Sequence, residues 1–171
     1  NLTVALRAGP ADGAIAGTIE ATNATAGSID TGRLPLSTLA ARFAWRDDIL
    51  ALDSVSAALD GSGTLRGQGR IPLGVAGAAG SWSLDVRDVD LRRLYAPLVS
   101  TRVTGKLTAE LDLQRQRIRG DVADRTIKGG LALDFAAVVA DGAVDVERFR
   151  ARSGKSELAG RGRRVRVERS E

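Results

Sequence analysis

The chain of 171 residues contains no cysteine and no histidine. That excludes disulfides, zinc and iron sites of the usual ligand types, thiol nucleophiles and any serine–histidine–aspartate arrangement. Missing cysteine does not assign a compartment. Large rings are scarce, with three Phe, two Trp and one Tyr, and much of the 43% apolar content is alanine, so any core is expected to be thin. No apolar run reaches the roughly 20 residues a membrane helix needs. No signal sequence follows Asn1, so the chain reads as a piece of something longer or as a mature form. Glycine, by contrast, is plentiful: twenty glycines and four prolines argue against long helices. The net charge is +4, and the excess gathers at the end, where Arg148 to Glu171 holds nine basic and three acidic residues.

The organising pattern is alternation. From Arg102 to Gln114, Val103, Gly105, Leu107, Ala109, Leu111 and Leu113 share one phase, while Thr104, Lys106, Thr108, Glu110, Asp112 and Gln114 share the other. That is the signature of a strand with one wet face, about 40 Å long if unbroken. The same habit recurs in Leu65 to Leu73, in Trp82, Leu84 and Val86, in Leu131, Leu133 and Phe135, and in Ile15 to Ala21. Strand-like positions run from Leu39 to Leu59 around a turn at Arg46-Asp47-Asp48. Further turns are expected at Asp60 to Gly63 and at Asp141-Gly142, the latter a hairpin signal before Val144 and Val146. One exception is helical: Asp90 stands as a cap before Leu91, Leu94 and Tyr95, and Pro97 ends the turn.

Two short patterns repeat. An apolar-x-Gly-x-apolar unit appears at Ile15 to Ile19, Val103 to Leu107, Ile118 to Val122 and Ile127 to Leu131. A second joins Leu65-Arg66-Gly67-Gln68-Gly69-Arg70 to Leu158-Ala159-Gly160-Arg161-Gly162-Arg163. Repeated strand units suggest an elongated, stacked architecture. Glycine weakens a strand, yet here it falls on the apolar phase. Gly67, Gly105 and Gly120 are expected to leave clefts beneath large neighbours, to permit bending or to mark bulges. A strongly bent sheet would make an apolar trough; a thin closed core is the other arrangement this pattern permits.

Nothing in the chain assembles a reaction centre. Asp88 with Asp90, and Asp121 with Asp124, are the carboxylate pairs, and the first pair is two apart on a strand phase. Both sit among arginines, where solvated charge is the expectation. Gly67 and Gly69 lead to Arg70 and Pro72 rather than to Lys-Ser/Thr and a helix, so a phosphate loop is not expected. Arg161, Arg163, Arg164, Arg166 and Arg169 lack interleaved aromatics, which speaks against nucleic acid and for the polar side of an edge strand. No enzyme activity, cofactor or metal is expected.

Asp88-Val89-Asp90-Leu91, the run Val103-Thr104-Gly105-Lys106-Leu107-Thr108-Ala109, and the stretch from Phe149 to Gly162 resemble the TamB family of translocation and assembly module proteins, in the AsmA-like superfamily. The cadence covers most of the chain from Ile49 onward. The resemblance implies one all-β segment over 1–171: an elongated, curved, mostly antiparallel sheet folded into an open U-shaped groove, a β-taco, with one short helical turn near 90–96. It implies an internal periplasmic piece of a protein anchored in the inner membrane of a diderm bacterium. The anchor helix and the C-terminal segment that meets an outer-membrane partner of the Omp85 class are then missing here. Phospholipid acyl chains are the implied cargo, and unfolded barrel or autotransporter proteins the implied alternative clients. A structural stalk is the third reading. The residues expected to line the groove are Leu65, Ile71, Trp82, Leu84, Val86, Val103, Leu107, Leu111, Leu113, Ile118, Val122, Leu131, Leu133, Phe135, Val144, Val146 and Leu158.

Overall fold

The computed structural model of the chain describes residues 1–61, 63–73, 79–112, 115–140 and 143–166, the last four by backbone path. Its strands are β1 (Leu2–Ala11), β2 (Ala14–Asn23), β3 (Leu36–Arg46), β4 (Ile49–Leu59), β5 (Thr64–Pro72), β6 (Gly80–Val89), β7 (Val103–Leu111), β8 (Arg115–Asp124), β9 (Leu131–Ala140), β10 (Ala143–Ser153) and β11 (Ser156–Arg166). They form one antiparallel sheet in which spatial order equals chain order, and β1 and β11 are its two free edges. The sheet is open rather than closed into a barrel. Ten inter-strand gaps of about 4.8 Å make it roughly 48 Å across the strands, longer than any strand within it. The molecule exposes 11958 Å². A compact globule of 17.9 kDa would expose roughly 8,000 Å², so about half as much again is left in contact with solvent.

Among the described residues, helical structure is confined to one strand end. Helix α1 (Leu91–Leu94) begins at Asp90, whose carboxylate accepts from Arg92 N–H at 3.1 Å. It stops before Pro97, as the sequence predicts. A single 3₁₀ turn, Ile29–Thr31, lies in the β2–β3 connection. At the opposite strand end two connections are tight: Asp12 and Gly13, and Asp47 and Asp48, take the positive φ values of two-residue hairpins. β9 and β10 pair from Ala140 and Ala143, so the expected hairpin at Asp141-Gly142 joins them, though those two residues lie outside the described ones.

Two expectations from the sequence change. Of the alternating segment at 102–114, strand β7 takes Val103–Leu111; Asp112 N–H then donates to Arg115 O at 2.9 Å, and residues 113 and 114 lie outside the described ones. The Gly129 repeat is a turn, with φ of +86° at Gly129 and +67° at Gly130, and Gly130 N–H closes on Ile127 O at 2.7 Å.

Five strands carry a register shift: one lies in β11 between Gly162 and Val165, and the other four are of one kind. β3 has it at Leu36-Ser37-Thr38-Leu39, β4 at Leu52-Asp53-Ser54-Val55, β6 at Val86-Arg87-Asp88-Val89 and β10 at Val146-Glu147-Arg148-Phe149. In each, two polar residues stand between two apolar ones. Strict alternation would send one of the apolar pair to the wrong face; the β-bulge absorbs the extra residue and keeps both together.

The polar face is laced with charge. Lys106 pairs with Asp85 at 3.9 Å, Arg148 with Asp134 at 2.6 Å, and Arg150 and Arg152 both with Glu157 at 3.3 Å. Arg117 of β8 reaches Glu147 of β10 at 3.0 Å, across Val138 of the intervening strand, which is buried as a result. Exposed pairs of this kind each contribute about 0–1 kcal/mol, so they act mainly to keep this face wet.

Candidate functional site

Residues directly paired across a sheet project to the same side, so the ladder registers assign every face without ambiguity. One row runs Val4, Ala21, Leu39, Ala57, Leu65, Val86, Gly105, Val122, Leu133, Ala151, Leu158, one residue from each strand in order. The next runs Leu6, Ile19, Ala41, Val55, Gly67, Leu84, Leu107, Gly120, Phe135, Phe149, Gly160. A third runs Ala8, Gly17, Phe43, Leu52, Gly69, Trp82, Ala109, Ile118, Ala137, Val146, Gly162. None of the three contains a polar side chain. Beside them, Ile15, Trp45, Leu50 and Ile71 pair in series, and Leu111, Gln116, Val139 and Val144 follow further along; Gln116 is the single polar residue there.

Sixteen of the seventeen residues singled out in the sequence stand on this face: fourteen in or beside these rows, and Val103 and Leu131 one step beyond, flanking Asp124. Leu113 lies outside the described residues. Sequence reasoning left out Val4 and Leu6 of β1, Phe43, Trp45, Leu50, Leu52 and Val55 of β3 and β4, and Phe149 of β10. The two halves of the second repeat fall on the same rows: Leu65 with Leu158, Gly67 with Gly160, Gly69 with Gly162.

The face is uncovered. Among the described residues there is no second sheet to lie on it, the short helix α1 follows β6 at one strand end, and no large side chain is fully buried. Val4, Leu6 and Leu158 on the edge strands are 58%, 64% and 66% exposed. Leu84, Leu107 and Phe135 in the middle are half-buried. The buried members are small: Ala21, Ala41, Ala57, Val86 and Val122.

Glycine shapes this surface as the sequence suggests for Gly67 and Gly120. Leu84 lies over its partner Gly67, where a β-carbon would come within 2.6 Å of Leu84 Cδ2. The Phe135 ring lies over Gly120, with Leu107 Cδ2 only 2.8 Å from the same point, and Phe43 over Gly17 at 2.9 Å. Large side chains therefore lie flat across their glycine neighbours instead of standing up from the sheet, which keeps the face low. Gly105 serves the backbone, since a β-carbon would meet Val122 Cα at 2.6 Å.

The carboxylates stitch one strand end together. Asp90 accepts from Thr101 N–H at 3.0 Å and Ser100 Oγ at 2.9 Å as well as from Arg92. Asp88 turns away, with φ of +52°, and faces Arg102 at 3.6 Å, so these two do not meet as their spacing suggests. Asp124, 3% exposed, accepts from Arg102 N–H at 2.8 Å and from Thr126 N–H and Oγ1 at 2.7 and 2.6 Å. Burial pushes the Asp90 and Asp124 carboxyls up, but these hydrogen bonds together outweigh it and hold both below the ordinary carboxylate value. No group of three potential metal ligands occurs among the described residues, and no helix there is long and apolar enough to cross a membrane. β11 is an edge strand, as expected of the basic tail; Arg161 is exposed, and Arg169 lies outside the described residues.

Searches against protein-family models, curated proteins and solved structures find no match to this chain.

Proposed function

We propose that the chain is a non-enzymatic segment of a periplasmic bridge, its apolar face forming a U-shaped groove that shelters phospholipid acyl chains in passage toward an outer membrane. The observation that carries this is the three unbroken apolar rows crossing all eleven strands. At about 4.8 by 6.8 Å per position they cover roughly 1,000 Å², beyond the largest apolar patch of a typical soluble monomer, about 300–600 Å². Such a face needs an occupant. The rows run across the strands, so a chain moving along them meets no polar step, and each sheltered methylene gains about 0.8 kcal/mol. The four bulges favour the reading because they strengthen local bending. The sequence resemblance supplies the setting: an inner-membrane anchor and an Omp85-class partner in regions beyond those described.

The test is photocrosslinking. Probes at Leu107 and Leu133 should capture phospholipid, and probes at Lys106 and Glu110, on the charged face, should not. Equal labelling on both faces overturns the proposal. Leu107→Arg should block lipid transfer while the far-ultraviolet spectrum stays that of a folded sheet.

A second reading, strand addition to unfolded barrel clients, is favoured by one specific feature. β1 is a free edge of ten residues whose only charge is Arg7, and all but Gly9 are exposed. Such an edge invites pairing with another strand. A client peptide crosslinked along Thr3 to Arg7, rather than lipid on the central rows, would favour it.

A further inference from the structure

The two long connections at one strand end touch although four strands separate them. Asp30 of the β2–β3 connection accepts from Ala96 N–H of the β6–β7 connection at 3.0 Å. Between them, Asp60 of the β4–β5 turn donates its N–H to Pro35 O at 3.1 Å. Together they enclose a polar cavity of about 520 Å³ whose lining includes Arg33, Arg92 and Arg93. On the outer face, Arg117, Arg148, Arg150 and Arg152 all sit in ion pairs. The three cavity guanidinium groups have no carboxylate within 4 Å among the described residues.

Two of them are seated by glycine. The Arg33 stem lies on Gly27, where a β-carbon would come within 2.7 Å of its Cδ, and Arg93 lies over Gly61, at 2.8 Å from its Nε. Two carboxylates also line the space, Asp60 and Asp90. Both Asp90 oxygens accept hydrogen bonds, from Arg92 and Thr101 N–H and from the Ser100 hydroxyl, and its charge also attracts Arg93. Three guanidinium groups against two lining carboxylates leave one positive charge in excess among the lining residues.

The cavity adjoins the apolar face. Asp60 and Asp90 directly follow Leu59 and Val89, whose ladder partners Leu36 and Val103 are apolar too. We infer that this cavity binds a phosphate group, as a monoester or diester, through the forked donors of Arg33, Arg92 and Arg93. A phosphate in the cavity with its chain on the face is the geometry of a phospholipid headgroup at the rim of the sheet. That identification of the source rests on the lipid reading above; the phosphate site does not.

Two probes separate the cases: inorganic phosphate and dodecyl phosphate below its micelle concentration, titrated into the full chain by calorimetry. Both should bind saturably, with dodecyl phosphate tighter. The Arg33→Ala/Arg93→Ala variant should weaken both by about tenfold or more. Arg66→Ala, on the charged face, should leave both unchanged, and circular dichroism should report the same sheet in all three proteins. Gly27→Val, which removes no donor but displaces the Arg33 stem, should weaken binding too. Equal affinity for the two probes supports the phosphate site and assigns it to a soluble phosphate, counting against the lipid source. Absence of saturable binding, or affinity untouched in the double variant, overturns the inference.

Discussion

The Trp82 indole lies across Gly69, its cross-strand partner, so closely that a β-carbon at position 69 would sit 2.6 Å from Trp82 Cδ2. Gly69→Val should therefore tilt the ring and cost about 1–3 kcal/mol, as overpacking does. Urea unfolding would measure it, and a change in tryptophan emission should accompany it. Gly160 is the control: it occupies an equivalent inward position on β11, with nothing within 4 Å of its would-be β-carbon. Gly160→Val should change stability by no more than about 0.5 kcal/mol.

The bulge at Asp53 absorbs one residue and no more. Asp53→Ala leaves the two-for-one register intact and should be nearly silent. Deleting Asp53 alone removes the extra residue and leaves Leu50, Leu52 and Val55 alternating on the apolar face, so it should cost no more than about 1 kcal/mol. Deleting Asp53 and Ser54 together puts Leu52 and Leu50 one step out of phase, on the charged side beside Arg42 and Arg70. Loss of more than about 3 kcal/mol is the expected outcome there, in the range of the severe mechanisms. Equal melting temperatures for the single and double deletions would contradict the role given to the bulge.

The same bulges explain what the sequence conceals. β7 is legible because Val103 to Leu111 alternates without interruption and its outer positions include Lys106 and Glu110. β6 reads cleanly from Trp82 to Val86 and then stops, because Arg87-Asp88 breaks the period and Val89 looks displaced. In β4, Leu50 and Leu52 disagree in phase with Val55 until Asp53 is counted as extra. β1 is obscured differently: Ala5 and Gly9 are small and uncharged, so its two phases differ little. Register, not strand existence, decides which face a residue joins, and register becomes fixed only when neighbouring ladders are in place. The arginine-lined cavity was illegible for another reason: Arg33, Arg92 and Arg93 come from connections far apart in the chain and meet only through contacts such as Asp30 with Ala96.

Acidification should loosen the loop-bearing strand end first. The Asp90 and Asp124 carboxyls are held below their unfolded value, so the unfolded chain binds protons more readily than the folded one. Their stabilisation is complete above about pH 5. It declines from about 3.9, the unfolded value, as pH falls through the lowered folded one. Asp124→Ala leaves the Arg102 and Thr126 N–H groups without their acceptor and should cost about 1–3 kcal/mol at neutral pH. The acid-dependent loss of stability should shrink in that variant, as read by hydrogen exchange at Arg102 and Thr126.

The two edges should behave differently in solution. β1 carries one charge over ten residues, whereas Lys155 and Arg161 flank or lie on β11. Concentration-dependent association through β1 is expected in sedimentation. Ala5→Lys, on the outward phase of β1, should shift it toward monomer without altering the apolar rows; unchanged association would place the contact elsewhere.

Because every strand pairs only with its neighbours in the chain, the sheet grows by increments. One hairpin adds about 10 Å of width and one further residue pair to each row, with the polarity of both faces preserved. Excising an adjacent pair such as β7 and β8 would rejoin β6 to β9, strands running in the same relative sense as those they replace. Length along the rows is thus an inheritable, countable quantity, adjustable by duplication or loss of hairpins while the chemistry of each face stays constant. Pairing that is local throughout also keeps contact order low for an all-β chain, so folding can advance from any hairpin outward.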